Sequence, residues 1–331
     1  MARRREGPLR LPPAAGAGGA ARRGGEVNER DHGGGLDAAI ARWGGERDGW
    51  LDLSTGINPV PYPLGDISPG AWTALPDKAA AERLKAAARS FWQVPEGAGV
   101  LAAPGASALI ARLPALWPKG HVEIAEPTYN EWRAAFDGAG WATGPGGATV
   151  AVHPNNPDGR LAPPPGAGLT IYDESFCDVM PGASHVARAG GDVLILKSFG
   201  KFWGLAGLRL GFLIGAPEPL ARMAEMLGPW PVSGPALEVG ARALEDAGWA
   251  EETRARLAAD ADRLDALIQG AGARVAGGTT LFRLYEVEEA AAWQERLAEH
   301  HVWSRVFPYA PGWLRLGLPA PERWAQLEAA L

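Results

Sequence analysis

Short apolar runs, each closed by a turn, alternate with segments of helical spacing through the middle of this chain. VLAAPGAS (100–107), HVEIAEPTY (121–129), ATVAVHPNN (148–156), LTIYDESF (169–176), DVLILKSF (192–199) and LRLGFLIG (208–215) read as strands running into turns. Between them, SALIARLPAL and EWRAAFDGAG read as helices. Strands that are apolar on both faces and separated by helices predict an α/β fold with a mostly parallel sheet covered on both sides. Ligands of such sheets bind in the loops at the carboxyl ends of the strands.

Outside this region the pattern changes. Leu36, Ala39, Ile40 and Trp43 fall at helical spacing before Gly44-Gly45. LDLSTGINP (51–59) reads as a short strand entering a Pro-rich connection, and AAAERLKAAARSFW (79–92) has strong helical composition. Residues 235–270 read as one long helical stretch with Leu257, Leu264, Leu267 and Ile268 along one side. The remainder alternates strand and helix as a smaller α/β domain. The expected division is a disordered basic, Gly-Ala-rich tail (1–30), a segment contributing to the small domain and the site (31–74), a large domain (75–230) and a small domain (231–331). No internal repeat is visible. Residues 1–26 have no apolar signal-peptide core and read as an upstream start, or as a basic arm for an acidic or nucleic-acid partner.

The charge balance narrows the function classes. Lys plus Arg count 32 against 38 Asp plus Glu, a net charge of −6, which excludes a chain that coats nucleic acid along its whole surface. Any anionic ligand therefore needs a local site. The single cysteine, Cys177, excludes an internal disulfide and a Cys-based zinc cluster and suits a reducing cytoplasm. The six histidines show no metal-ligand spacing, so no metal is expected. No run approaches the ~18 apolar residues of a membrane span, so no membrane partner is expected either.

The chemistry gathers at the predicted strand ends. Gly105-Ala106-Ser107, Tyr129, Asn156, Asp173, Ser198, Lys201 and Arg209 all fall there. Singly, each has an ordinary explanation: a Gly turn before a helix, an Asp that caps one, an Arg in an ion pair. Lys201 is harder to dismiss, because it stands among Phe202, Trp203, Leu205 and Leu208. A buried ammonium there must be paired, neutral or covalently engaged.

HPNNPDG (153–159), YDES (172–175) and SFGKFWGLAGLRLGF (198–212), in this order, resemble the aspartate-aminotransferase superfamily of pyridoxal-phosphate enzymes, the fold-type I group. The resemblance covers roughly residues 30–331. It implies pyridoxal 5'-phosphate as cofactor, with Lys201 as the lysine that links to its aldehyde in preference to Lys197. It also implies Asp173 beside the pyridine nitrogen, Asn156 at the ring oxygen and Tyr129 stacked on the ring. Gly105, Ala106, Ser107, Ser198 and Arg209 would hold the phosphate. Two departures stand out. Asp173-Glu174-Ser175-Phe176 replaces Asp-x-Ala-Tyr, so the tyrosine's bond to the ring oxygen is absent, and Leu75-Pro76-Asp77 lacks the tyrosine that reaches a neighbouring subunit's cofactor. A homodimer remains the family expectation.

Within the superfamily, His32-Gly33-Gly34, LDLSTGINP and Phe176 resemble the threonine-phosphate decarboxylases of cobalamin synthesis. The histidinol-phosphate aminotransferases are the alternative, and a non-catalytic binding or regulatory module is a third reading. The decarboxylase resemblance implies a phosphorylated amino acid as substrate. Arg315 would bind its carboxylate, Arg305 and His32 its phosphate, and Asn58 would line the pocket.

Overall fold

Apolar residues on successive positions of the central strands require cover on both faces, and the structure provides two separate cores. The computed structural model describes residues 32–331. The expected tail and its two explanations lie outside the described residues.

The chain begins with α1 (Leu36–Trp43), β1 (Leu51–Asp52), α2 (Pro69–Thr73) and α3 (Lys78–Phe91). The large sheet follows: β2 (Gly99–Ala103), α4 (Ala106–Ile110), β3 (His121–Ile124), α5 (Asn130–Gly138), β4 (Ala142–Thr143), β5 (Ala148–Val152), β6 (Thr170–Asp173), β7 (Val193–Ser198) and β8 (Gly211–Gly215). Its spatial order is β2-β8-β7-β6-β5-β3-β4. The run from β4 to β7 is parallel, whereas β8 lies antiparallel between β7 and β2. Alternate residues of one strand go to different cores. Ile195, Tyr172 and Phe212 pack with Leu84 of α3 and with helices further along, while Leu194, Ile171 and Leu213 pack with Leu109 of α4 and Trp132 of α5.

The rest comprises α6 (Pro217–Leu227), α7 (Gly234–Glu245), α8 (Ala247–Gly270), β9 (Arg274–Thr279), β10 (Phe282–Glu286), α9 (Ala290–Glu299), β11 (Val302–Trp303), β12 (Arg305–Phe307), β13 (Ala310–Gly317) and α10 (Trp324–Ala329). A second, antiparallel sheet has the order β12-β13-β10-β9. The amino-terminal segment joins this part of the fold, since β1 pairs in parallel with β11.

Local chemistry explains where the elements differ from the sequence reading. The expected long helix over 235–270 is two helices, because Asp246 leaves the helical conformation and its side chain accepts the Trp249 N–H at 3.0 Å, capping α8. The helix opening at Ala106 stops at Ile110, and Leu113–Leu116, containing Pro114, forms a 3-10 turn instead. Strand β8 starts at Gly211 rather than Leu208, since Ala206–Leu208 turns and Arg209 takes a left-handed φ of 54°. RVAGGTTLFRLYEV is a hairpin, β9 and β10.

The loop that carries Asn156 is fastened to the second sheet. Gly278 N–H donates to the Asp158 carbonyl at 2.9 Å. Gly159 has φ +74°, and a Cβ there would stand 2.0 Å from the Gly278 carbonyl oxygen. Backbone conformation and space both demand glycine. Gly159→Ala is expected to lower the free energy of unfolding by about 2 kcal/mol or more, read from urea denaturation.

Candidate active site

The carboxyl ends of the central strands open onto a cavity of about 150 Å³. Gly105, Ala106 and Ser107 line it at the start of α4, Tyr129, Asn156 and Asp173 line it from the loops and strand end beside α5, β5 and β6, and Ser198, Lys201 and Arg209 complete it. The residues expected to hold a cofactor therefore converge on one place. Gly105 is required there, because it has φ +85° and a Cβ would approach an Arg209 guanidinium nitrogen to 2.7 Å.

Asp173 is the buried carboxylate of the cavity. Trp132 Nε1 donates to its Oδ2 at 2.9 Å, and the Ser175 N–H and hydroxyl both donate to its Oδ1. These three donors fix the orientation of its carboxyl group. The sequence reading did not single out Trp132 or Ser175. Ser175 has a legible signal, since a hydroxyl two residues after an Asp can close a local turn onto it. Trp132 has only the general one, that a buried indole N–H needs an acceptor.

Lys201 lies in the opposite kind of environment. Its amine is desolvated by the surrounding protein and stands near Arg315 and Arg209, which together outweigh the attraction of Asp173 and lower its pKa to about 8. Phe176 adds an apolar wall, with Lys201 Nζ 5.3 Å from the ring centroid. A neutral fraction far above that of an ordinary lysine gives this amine the lone pair that carbonyl chemistry needs.

Lys197, the competing lysine, is committed elsewhere. Its Nζ lies 2.7 Å from Glu174 and 3.2 Å from Asp178, all three fully buried. Burial alone would lower its pKa, but the two carboxylates hold it well above the ordinary lysine range. Glu174 stays below the usual carboxylate range against its own burial, through Lys197, Ser184 and the His185 N–H. His153, Glu174 and Cys177 also cluster, but His153 uses one ring nitrogen on the Ala162 N–H and the other on the Ala183 carbonyl.

None of the four residues expected to bind substrate lines the cavity itself; Arg315 reaches it through Asn156 and His32 through the Tyr129 ring. Arg305 and Arg315 are cross-strand partners on β12 and β13, so both side chains leave the same face of the sheet. Arg315 is buried, donating to the Asn156 Oδ1 and to the Ser54 carbonyl. Arg305 donates to the His32 carbonyl, and His32 Nε2 lies 2.8 Å from Glu131 and its ring 6.1 Å from that of Tyr129. Asn58 does not line the cavity as expected. It is buried behind the Lys201 loop, donating to the Phe202 carbonyl and accepting from Val60 and Arg256. Ser54, which opens the S-x-x-INP part of LDLSTGINP, is held beside these residues: its hydroxyl accepts the Gly34 N–H and is itself bound to Asp52.

Residues 150–331 match the family model described as aminotransferase class I and II. A threonine-phosphate decarboxylase from a Sinorhizobium species is 41% identical, the alignment covering 88% of this chain and 93% of the relative. This chain belongs to the class I and II aminotransferase family. A threonine-phosphate decarboxylase from Pseudomonas aeruginosa is 38% identical over 91% of this chain and 97% of the relative. In fold, the chain is similar to a histidinol-phosphate aminotransferase from Sinorhizobium meliloti solved with pyridoxal-5'-phosphate, with TM-score 0.74 at 15% identity, covering 90% of this chain and 93% of that one.

Pyridoxal 5'-phosphate is the cofactor of this class I and II aminotransferase family member, and the donor set fits it. The cavity offers a depressed amine for an aldehyde, a triply hydrogen-bonded carboxylate for a protonated pyridine nitrogen, and a guanidinium with hydroxyls for a phosphate. Lys197 offers nothing similar. Lys197→Met would leave Glu174 and Asp178 buried without their cation and is expected to cost about 3–5 kcal/mol at neutral pH. Because the Glu174 pKa is lowered on folding, the wild-type advantage should shrink as pH falls below its ordinary value of 4.5. Urea midpoints for both proteins across that range check the size and the sign.

Proposed function

We propose that this class I and II aminotransferase family member decarboxylates L-threonine O-3-phosphate in cobalamin biosynthesis. The observation that carries the substrate is the pair Arg305 and Arg315, cross-strand neighbours facing one way, with Arg315 bonded to the cavity residue Asn156. A substrate with a carboxylate at one end and a phosphate at the other needs two such cations. The threonine-phosphate decarboxylases with which the chain shares most of its length supply the substrate's identity.

Once bound, pyridoxal phosphate supplies the electron sink that accepts the bonding pair released at the substrate α-carbon. Asp173, fixed by Trp132 and Ser175, would hold a proton on the ring nitrogen. Arg315 occupies the Asn156 Oδ1, which leaves the Asn156 amide to donate toward the ring oxygen. Tyr129 would cover the ring, and Arg209 with Ser107 and Ser198 would hold the phosphate. Arg315 orients the α-carboxylate, and Arg305 and His32 hold the substrate phosphate. Decarboxylation replaces that carboxylate by a proton: CO2 leaves, and the product is (R)-1-amino-2-propanol O-2-phosphate. Lys201, which lines the cavity, would hold the cofactor through its aldehyde, and its amine would supply the proton that replaces the carboxylate at the substrate α-carbon.

Lys201→Ala is expected to abolish the visible absorption of bound cofactor, and an unchanged band would count against that lysine. Arg315→Ala should raise KM for the phosphoamino acid at least tenfold, roughly, while moving cofactor affinity far less. The deciding assay mixes cofactor-loaded protein with L-threonine O-3-phosphate without a keto acid and follows CO2 and product by mass spectrometry. Turnover only with histidinol phosphate and 2-oxoglutarate would select the aminotransferase reading instead.

The working form is a cytoplasmic homodimer. Trp72 and Leu75 are each 67% exposed and Trp230 57%, and the grooves beside them share Pro76 and Asp77. Such adjoining apolar surface favours a covering partner. No helix among the described residues is long and apolar enough to cross a membrane. Sedimentation velocity should give a dimer that Trp72→Glu combined with Trp230→Glu dissociates; a wild-type monomer would reject the assignment.

A further inference from the structure

Residues 58–62 lie along the loop that carries Lys201 and hold three successive carbonyls of it. Asn58 N–H donates to the Lys201 carbonyl at 3.0 Å, Asn58 Nδ2 to the Phe202 carbonyl at 2.8 Å, and Tyr62 N–H to the Trp203 carbonyl at 2.9 Å. At Gly204, with φ +67°, a Cβ would stand 2.7 Å from the Pro61 Cα and 2.9 Å from the Asn58 carbonyl oxygen. The strap and the loop are in direct backbone contact.

The Asn58 amide is oriented from a third element. Its Oδ1 accepts from the Val60 N–H at 3.0 Å and from an Arg256 guanidinium nitrogen at 2.6 Å. Turning the amide over would set its NH2 against two donors, so these partners fix Nδ2 toward the Phe202 carbonyl. Arg256 is itself held on α8 by Asp260 at 3.1 Å. Asn58 is 2% exposed, so solvent does not replace a lost partner.

Lys201 needs such a device because its immediate electrostatic surroundings do not retain it. Arg209 and Arg315 repel its charged form, and the long flexible stem fixes nothing by itself. A loop free to shift would carry the amine away from the guanidiniums. We propose that Asn58 and Arg256 are positioning residues for Lys201, the arginine orienting the asparagine amide and the amide fixing the loop backbone that aims the amine into the cavity. This rests on Lys201 being the lysine that links the cofactor.

Asn58→Asp tests the amide directly. It keeps the acceptor for Val60 and Arg256 and adds an ion pair with Arg256, but turns a carboxylate oxygen toward the Phe202 carbonyl. Arg256→Met removes the orienting group, and Arg256→Lys restores a donor. Each cofactor-loaded protein is reduced with borohydride and the labelled peptide located by mass; visible circular dichroism per bound cofactor, kcat, KM and melting temperature are then measured. In Asn58→Asp and Arg256→Met the label is expected to stay on Lys201, the visible dichroism to fall by about half, and kcat to fall about tenfold with KM within about twofold. Arg256→Lys should recover part of both signals. Unchanged dichroism and kcat in Asn58→Asp and Arg256→Met, whatever their melting temperatures, would overturn the proposal. Label on another lysine in the wild-type protein would instead overturn the reading beneath it.

Discussion

Two lysines near the carboxyl end of one strand, Lys197 buried and Lys201 partly buried at the cavity, lie in fields of opposite sign, and the site depends on that contrast. Lys197 sits between Glu174 and Asp178 and keeps its charge; Lys201 sits near Arg209 and Arg315 and loses much of its preference for one. Burial penalises both cations, so the neighbours decide the outcome. Tyrosine, serine or glutamate in the same positions would not divide the work in this way. One amine is a structural ion and the other is left with a weaker hold on its proton.

Keeping an amine poised in a cationic field requires rigid surroundings. Asp173 has three donors, and Asp178 binds the Trp92 and Trp203 indoles as well as Lys197. Trp203 also stacks on Phe199 and Trp249 at centroid distances of 5.0 and 5.4 Å, packing the back of the lysine loop with aromatic surface. On the open side, Arg315 ties Asn156 to the Ser54 carbonyl, linking the second sheet, the Asn156 loop and the amino-terminal segment. The cavity wall is thus drawn from parts of the fold that otherwise pack into separate cores.

Much of this was legible in the residues. The alternation of apolar runs and helices gave the parallel sheet, because strands apolar on both faces have few other stable arrangements. Gly105, Asn156, Asp173, Lys201 and Arg209 were legible because each stands where a strand ends and a backbone turn or a charge needs a reason. The supporting residues were not. Trp132 looks like any core tryptophan until its indole is seen on Asp173, and Asn58 looked like a pocket residue because its strap contacts belong to residues far along the chain. The break at Asp246 is a capping event inside a continuous helical pattern, which periodicity averages away.

The same distances along the chain set the order in which the site can be built during synthesis. Asn58 meets Arg256 across 198 positions, and Arg315 meets Ser54 across 261. A ribosome that has just released Lys201 has made neither α8 nor β13, so the nascent large sheet carries its reactive amine without the groups that aim it or lower its affinity for a proton. Contacts of such separation are closed late and slowly. The surroundings of Lys201 are thereby completed only when almost the whole chain has emerged.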